Sequence, residues 1–218
     1  MTQRLTTEFL GTAGLVCAVV GSGIMAERLS GGNVAIALLA NTAATGAALY
    51  FLIVSFAPVS GAHFNPAVTL VNVLRRDLGF KGAIGYWAAQ VSGGVLGTAV
   101  ANLMFDLPPL FASTKVRTGA GPWLGEFVAT FGLIGVIIAV RKQSLPVIAA
   151  CVAAFISAAY WFTSSTSFAN PAVTLARAFS DSFAGIRLID VPAFVVVQIV
   201  GAVAAFLVFN WLFAEKEI

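Results

Sequence analysis

Six long runs of apolar residues alternate with short polar or charged breaks along the chain. The runs cover residues 5–26, 34–59, 82–105, 123–140, 145–162 and 191–214. A helix that crosses a bilayer needs about 20 apolar residues, with a lower bound near 17. Breaks such as Arg75-Arg76-Asp77 and Arg141-Lys142 carry the charges that end such runs. The pattern therefore predicts six transmembrane helices.

Two further apolar runs, residues 66–74 and 171–179, are too short to cross a bilayer. Each follows an Asn-Pro pair, Asn65-Pro66 in the first case and Asn170-Pro171 in the second. Asparagine is a favoured helix N-cap, and proline is tolerated at the first helical position because its missing N–H is not needed there. We therefore expect two half-length helices.

The chain contains an internal repeat. Residues 65–70 and 170–175 both read Asn-Pro-Ala-Val-Thr-Leu, and Glu8-Phe9 recurs as Glu126-Phe127. Each half has three long runs and one short run, so the second half enters the membrane from the opposite side. The sequence predicts an all-α membrane protein with one transmembrane domain, made of inverted repeats at about residues 1–106 and 119–218.

Composition agrees with a lipid environment, since 59% of the residues are hydrophobic, 10% are charged and the mean hydropathy is +0.95. Soluble domains carry about 25% charged residues. The net charge of +3 forms no basic face, which excludes a nucleic-acid partner. With an internal amino terminus, seven basic residues are cytoplasmic against five outside, so both termini are expected in the cytoplasm. The seven are Arg4, Arg75, Arg76, Lys81, Arg141, Lys142 and Lys216.

Candidate catalytic chemistry is absent from the sequence. It contains one histidine, His63, and its two cysteines, Cys17 and Cys151, lie inside apolar runs without metal-ligand spacing. We find no nucleophile paired with a base. The sequence therefore predicts no enzyme activity, no cofactor and no metal site.

The predicted half-helices would bring their amino ends together near the middle of the membrane. Unpaired N–H groups and the positive ends of two helix dipoles would then meet there. Asn65 and Asn170 would add side-chain N–H donors. This narrow region between Asn65 and Asn170, called the waist, is expected to accept neutral solutes with lone pairs and to exclude cations. Glu8 and Glu126 lie within spans, where each carboxylate needs partners. We interpret them, with Gln90 and Gln198, as acceptors and donors for the loops that lead to the half-helices; a proton relay is the alternative.

The motifs Ser-Gly-Ala-His-Phe-Asn-Pro-Ala-Val-Thr at residues 60–69 and Phe-Ala-Asn-Pro-Ala at 168–172 resemble those of the aquaporin, or major intrinsic protein, family. The resemblance covers essentially the whole chain. It implies the aquaporin fold, a pore bordered by Asn65, Pro66, Ala67, Asn170, Pro171 and Ala172, and a homotetramer in lipid with one pore per subunit.

The resemblance also implies a selectivity filter, which counting from the motifs places at Thr45, Ala158, Ser167 and Val173. Water and glycerol channels of the family keep an arginine at the last of these positions, where this chain has valine. The expected filter is therefore wide and lacks an arginine, as in the relatives associated with bacterial arsenic resistance. This resemblance makes a bacterial inner membrane the expected location.

Three neighbouring features leave alternatives open. His63 is expected in the vestibule, either as a static wall residue or as a pH-sensitive gate. Arg177 lies four residues after Val173, so its guanidinium either returns to the vestibule or extends to the lipid headgroups. The aromatic residues 160–162 either form an interfacial belt or narrow the mouth.

These observations predict a passive channel for small neutral solutes: glycerol, arsenite-like metalloid hydroxides and water. A water or ammonia pore is the first alternative. An ion-coupled secondary transporter also uses inverted repeats and broken helices. However, the predicted waist offers two amides that do not titrate, which disfavours coupling to ions.

Overall fold

The computed structural model describes residues 1–213, and all regular secondary structure within them is helical. The predicted end of the last span at Ala214 and the predicted cytoplasmic Lys216 lie outside the described residues. In chain order the helices are α1 (Thr2–Leu29), α2 (Val34–Ser60), α3 (Pro66–Leu74), α4 (Phe80–Met104), α5 (Ala120–Val140), α6 (Leu145–Phe162), α7 (Pro171–Arg177) and α8 (Val191–Leu212), with a 3-10 turn at Leu188–Asp190.

Five described segments are helices long and apolar enough to cross a membrane by length and composition: α1, α2, α5, α6 and the segment Leu188–Leu212. The sixth long helix, α4, has 25 residues but a more polar sequence. Its buried residues include Gln90 and Asn102. Since these amides face protein neighbours, α4 remains compatible with a membrane position although its hydropathy is lower.

The half-helices begin where the sequence predicts, because the asparagine side chains satisfy backbone N–H groups of the first turn. Asn65 Oδ1 accepts from Ala67 N at 2.9 Å. Asn170 Oδ1 accepts from Ala172 N at 3.0 Å and from Val173 N at 3.2 Å. The second half-helix is shorter than its apolar run, since α7 ends at Arg177 rather than at residue 179.

The long helices pack in the same pairs in both halves of the chain. Helix α1 packs on α4 and α2, and α5 packs on α8 and α6, while α2 meets α6 between the halves. An inverted repeat of residues 1–106 and 119–218 would produce this pairing, and the repeat boundaries stay a prediction. The half-helices α3 and α7 lie inside this frame, against α4, α8 and each other.

Glycine allows the closest of these crossings. A Cβ atom on Gly97 of α4 would lie 2.3 Å from Ala13 O of α1, and one on Gly93 would lie 2.2 Å from Phe9 O. In the second half, a Cβ on Gly201 of α8 would lie 2.7 Å from Phe127 O of α5. Small residues therefore set the backbone separation of both helix pairs.

A central cavity between the two Asn-Pro-Ala loops

A cavity of about 70 Å³ lies at the centre of the helix bundle. Its wall includes Asn65 and Asn170, the residues that begin the two half-helices, and the valines that follow the two motifs, Val68 and Val173. The remaining wall is largely apolar and comes from α1, α2, α5 and α6; it contains Leu15, Val19, Leu49, Ile53, Leu133, Val152 and Ile156. Most polar groups of the wall therefore come from the loops and half-helices, and Thr45 of α2 and Tyr160 of α6 add two hydroxyls to the otherwise apolar part.

Each asparagine of the motifs also binds the opposite loop. Asn65 Nδ2 donates to Ala169 O at 2.7 Å, and Asn170 Nδ2 donates to Phe64 O at 2.8 Å. An amide nitrogen carries two hydrogens. These crossed bonds use one N–H of each side chain and leave the second for a solute in the cavity that both residues border. They also hold the two loops in a fixed relation.

The two loops have the same unusual backbone. Ala62 and Phe64 have φ values of 50° and 47°, and the equivalent Ser167 and Ala169 have φ values of 48° and 46°. Positive φ is uncommon for residues other than glycine and persists only where the surroundings fix it. The loops are therefore held in a strained conformation by their neighbours.

The carboxylate of Glu8 is one of these neighbours. Its Oε1 accepts from His63 N at 3.0 Å and Ser60 Oγ at 2.6 Å, and its Oε2 accepts from Phe64 N at 2.7 Å and Gln90 Nε2 at 2.8 Å. Glu8 is fully buried. This buried carboxylate accepts from four donors and thereby fixes the loop that leads to α3.

Glu126 accepts the equivalent hydrogen bonds in the second half of the chain. Its two oxygens accept from Phe168 N and Ala169 N, both at 2.8 Å, and from Gln198 Nε2 at 2.5 Å. Like Glu8, it is fully buried within the described residues. Both loops that lead to a half-helix are thus bound by a carboxylate from a neighbouring long helix.

The two glutamines extend each set to a half-helix. Gln90 Nε2 also donates to Thr69 Oγ1 at 2.9 Å, and Gln198 Nε2 donates to Thr174 Oγ1 at 2.8 Å. Carboxylate, glutamine and half-helix threonine therefore form one connected network in each half, and the two networks correspond residue by residue.

Of the four positions expected to form the filter, three border the cavity and one does not. Thr45, Ser167 and Val173 belong to its wall, whereas Ala158 is exposed on the outward face of α6. The structure therefore does not bring Ala158 to the cavity with the other three residues. Helix α6 presents Val152, Ile156 and Tyr160 to the cavity, at a spacing of four residues, and Ala158 is about 200° around the helix from its neighbours in this row.

Tyr160 is the wall residue that replaces Ala158. Its hydroxyl lies 3.3 Å from Thr45 Oγ1 across the cavity end nearest α7. Trp161 and Phe162 are exposed, so the aromatic cluster divides between a cavity residue and two outward residues. A tyrosine within an apolar helix, four residues after Ile156, was the sequence signal that could have identified this position.

The candidate vestibule residues His63 and Arg177 both border the cavity. His63 Nδ1 lies 3.1 Å from Thr69 Oγ1, and its ring centroid lies 5.1 Å from that of Tyr86. Arg177 is 1% exposed, so its side chain is enclosed by the protein. Its guanidinium carbon lies 3.3 Å from the ring centroid of Phe168.

A second arginine supports the same region from outside the spanning helices. Arg117 Nε donates to Gly185 O at 2.7 Å, and its Nη1 donates to Ser165 O at 2.9 Å. Its guanidinium carbon lies 4.7 Å from the Phe168 ring centroid. Burial lowers the pKa of Arg117 to about 10, against the opposing effect of Glu126. The side chain therefore stays charged near neutral pH and links the loop at Ser165 to the loop at Gly185.

Comparison with known proteins decides the family. The family model for the major intrinsic protein family matches residues 1–160. This chain belongs to the major intrinsic protein family. The chain is 53% identical over 212 residues to aquaglyceroporin AqpS of Rhizobium meliloti. The aligned region covers 97% of this chain and 91% of that protein. It is 35% identical over 150 residues to aquaporin NIP3-1 of Arabidopsis thaliana, covering 65% of this chain and 46% of the plant protein.

A solved structure agrees on the fold. The X-ray structure of the aquaglyceroporin from Plasmodium falciparum superposes with a TM-score of 0.78 at 21% identity, covering 98% of this chain and 97% of that one. The predicted all-helical membrane architecture of the major intrinsic protein family is thereby confirmed. As a member of this family the chain is an integral, multi-pass membrane channel rather than an enzyme.

Proposed function

We propose that the chain is a passive channel for small neutral hydroxylated solutes, with glycerol and arsenite-like metalloid hydroxides as its principal solutes and water as a smaller one. The similarity to an aquaglyceroporin over 97% of the chain supports the solute class. A homotetramer in a bacterial inner membrane, with one pore per subunit and cytoplasmic termini, completes the proposal.

The observation that carries the proposal is the composition of the cavity wall. The amides of Asn65 and Asn170 and the hydroxyls of Thr45 and Ser167 lie on a wall that is otherwise largely apolar. A polyol has hydroxyls along one edge and carbon along the other, so it can satisfy both sides at once. Such pairing of a few placed polar groups with an apolar surface is typical of sites that select small molecules.

The positive potential at the waist favours the passage of neutral solutes over that of cations. The amino ends of α3 and α7 bring two positive dipole ends toward the cavity, each equivalent to about half an elementary charge. A cation would lose its hydration and meet this positive potential. A neutral hydroxyl group can instead accept from the free amide hydrogens of Asn65 and Asn170.

Val173 leaves room at the α7 end of the cavity. It is the first residue after the second motif, and it borders the cavity with an apolar side chain. An arginine here would add both bulk and charge. We propose that its absence admits solutes larger than water, including the undissociated hydroxide of trivalent arsenic, which resembles glycerol in size and hydrogen bonding.

The test is stopped-flow light scattering on proteoliposomes, with water, glycerol and arsenite as solutes. The wild type should pass all three, and Val173→Arg should lose glycerol and arsenite while it retains water. Val173→Met is the matched control, because it adds bulk without charge. A wild type that passes water alone would contradict the proposal.

A water-selective pore is the second candidate, and one contact favours it. The Tyr160 hydroxyl, 3.3 Å from Thr45 Oγ1, spans the α7 end of the cavity and narrows it. If water alone passes through the wild type, Tyr160→Ala should admit glycerol. Trp161→Ala, at the exposed neighbouring position, is the control.

A further inference from the structure

Three exposed basic side chains lie where α1 and α4 begin. Arg4 is in the first turn of α1, Lys81 is in the first turn of α4, and Arg76 is in the loop that joins α3 to α4. None of the three side chains forms an ion pair or a hydrogen bond with another described residue. Their charges are therefore free to bind an anion from outside the protein.

Basic side chains at the opposite ends of α1 and α4 are already bound. The contacts there are Arg28 with Phe105 O, Lys115 with Phe183 O, Arg117 with Gly185 O, and Arg187 with Asp190. The two ends of the molecule therefore differ in how many of their described cations are free.

The fold brings the three free cations to one surface. Helices α1 and α4 run in the same direction, because successive glycines of α4 meet successive residues of α1. A Cβ atom on Gly82 would lie 2.9 Å from Leu78 Cδ1 and 3.3 Å from Met1 Cε. Each of the three basic residues lies within three positions of a residue in these contacts. We call the surface formed by Arg4, Arg76 and Lys81 the basic surface.

The acidic residues next to the basic surface in the chain do not neutralise it. Asp77 pairs with Arg75 at 2.9 Å. Glu8 is buried and accepts from the backbone N–H groups of His63 and Phe64. The basic surface therefore keeps the charge of all three of its side chains.

Arg76 occupies a backbone position that glycine usually fills. Its φ is 66°, in the left-handed region, and it follows the C-cap residue of α3. The next two N–H groups, of Asp77 and Leu78, bind Asn72 O at 2.9 and 3.2 Å and close the helix end. Glycine is the common residue at such a position because it has no Cβ to strain the backbone. A strained arginine here indicates that its side chain has a use.

An apolar patch on α4 adjoins the basic surface. Phe80 precedes Lys81 and is 62% exposed, and Ile84 is 52% exposed on the next turn. The ring of Phe80 packs edge-on against Trp87, with 6.0 Å between the centroids. Trp87 is itself held in place, since its Nε1 donates to Pro66 O at 3.2 Å. Cations beside exposed apolar side chains match a ligand with an anionic head and hydrocarbon chains.

We propose that the basic surface binds the phosphate of an anionic phospholipid, whose acyl chains lie along Phe80 and Ile84. Arginine pairs with phosphate oxygens through two parallel hydrogen bonds, and lysine adds a compact positive charge. Basic side chains at the membrane surface attract anionic lipid, each by a factor of about five. The proposal concerns lipid contact, so its test is independent of which solute the pore passes.

The experiment uses Trp87 as a local reporter. Trp123, Trp161 and Trp211 are replaced by phenylalanine, and the protein is placed in vesicles of phosphatidylcholine with a fraction of brominated phosphatidylglycerol or brominated phosphatidylcholine. Bromine on the acyl chains quenches a tryptophan that the lipid contacts. The brominated anionic lipid should bind beside Trp87 at least about fivefold more tightly than the brominated zwitterionic lipid. This preference should fall as sodium chloride is added.

Substitutions in the basic surface should remove the preference. The triple variant Arg4→Gln, Arg76→Gln and Lys81→Gln should be quenched equally by both lipids. Arg76→Gly should lower the preference roughly twofold or more. It should also unfold at the same temperature as its parent or a higher one, because glycine relieves the strain at this position.

Two controls lie at the opposite end of the molecule. Arg187→Gln removes an arginine that is paired with Asp190, and it should keep the full preference at Trp87. A protein that retains Trp161 alone reports on the end where Arg117 binds Ser165 O, and both lipids should quench it equally. The elution volume in size-exclusion chromatography confirms that each variant is assembled.

Equal quenching of Trp87 by the two lipids in the parent protein would overturn the proposal, and so would an undiminished preference in the triple variant. If the triple variant does not assemble, Arg76→Gly decides, and an unchanged preference there overturns the site. Inorganic phosphate should displace the anionic lipid no better than sodium chloride of equal ionic strength. Stronger displacement by phosphate would assign the surface to the free ion and overturn the lipid.

Discussion

Two buried carboxylates hold the loops on which the cavity depends. Glu126 binds the N–H groups of Phe168 and Ala169, and Glu8 binds those of His63 and Phe64. These loops contain left-handed residues that would relax without external support. At the scale of single residues, the cavity therefore depends on acceptors that do not border it.

Replacing Glu126 by alanine should destabilise the protein strongly. Two backbone N–H groups would lose their acceptor, and each unsatisfied buried donor costs about 1–3 kcal/mol. We expect a clear fall in the midpoint of thermal unfolding in detergent, with a smaller fall for Glu126→Gln, which keeps one acceptor oxygen. Asp106→Asn, at an exposed acidic position, is the control and should unfold like the wild type.

Thiol chemistry offers a second test at the residue scale. Ser167 borders the cavity, whereas Cys17 and Cys151 do not. Mercuric ions should therefore leave solute flux through the wild type unchanged, and Ser167→Cys should make the flux sensitive to them, with recovery after added thiol. Rapid block of the wild type, abolished by Cys17→Ser or Cys151→Ser, would contradict this placement.

Residue identity predicted much of this chemistry. Both asparagines, both glutamates and both glutamines recur at equivalent places in the chain, and that recurrence alone indicated their matched environments. Ala158 and Tyr160 show where this approach stops. Counting from a motif gives a position along the chain, but which face of α6 turns inward depends on how Val152, Ile156 and Tyr160 pack in the core.

At the scale of elements, close helix crossings determine the shape of the frame. Helices α1 and α4 approach so closely that a Cβ atom on Gly93 or Gly97 would overlap backbone atoms of α1. The equivalent crossing of α5 and α8 at Gly201 is slightly less tight. The half-helices lie in the space that these pairs enclose, so the crossings also set the width of the cavity.

Gly97→Ala should disrupt this frame. The added Cβ would lie 2.3 Å from Ala13 O, a backbone atom that cannot move aside without shifting α1. We expect lower thermal stability and loss of a single symmetrical peak in size-exclusion chromatography in detergent. Gly79→Ala, where a Cβ would meet nothing within 4 Å, should be neutral. Equal behaviour of the two variants would show that α1 and α4 are not held as closely as described.

At the scale of the whole molecule, the described cavity wall distinguishes a channel from an ion-coupled transporter. The ionisable residues on this wall are His63, Tyr160 and Arg177, and the waist itself presents the amides of Asn65 and Asn170. The described residues contain no group of three or more metal-binding side chains. The described cavity wall also contains no carboxylate that could bind a driving cation.

Glycerol flux should therefore persist when all ion gradients are collapsed. In proteoliposomes we expect the same initial rate with and without a proton ionophore and in sodium-free buffer, because the driving force is the solute gradient alone. Protein-free vesicles supply the background rate. A rate that falls when the proton or sodium gradient is removed would favour coupled transport.

The sequence by itself determined the membrane environment, the helical class, the half-helices and the family, because these follow from apolar run length, capping residues and a repeated motif. Tertiary structure alone decided which side chains meet across the cavity. Arg177 lies one helical turn beyond Val173, and only the packing of Phe168 and the Ala184 carbonyl brings its charge inward rather than toward lipid. The rotation of α6, which exposes Ala158 and turns Tyr160 inward, has the same origin. Sequence spacing fixes neighbours within an element, whereas contacts between elements depend on how all the helices fill space together.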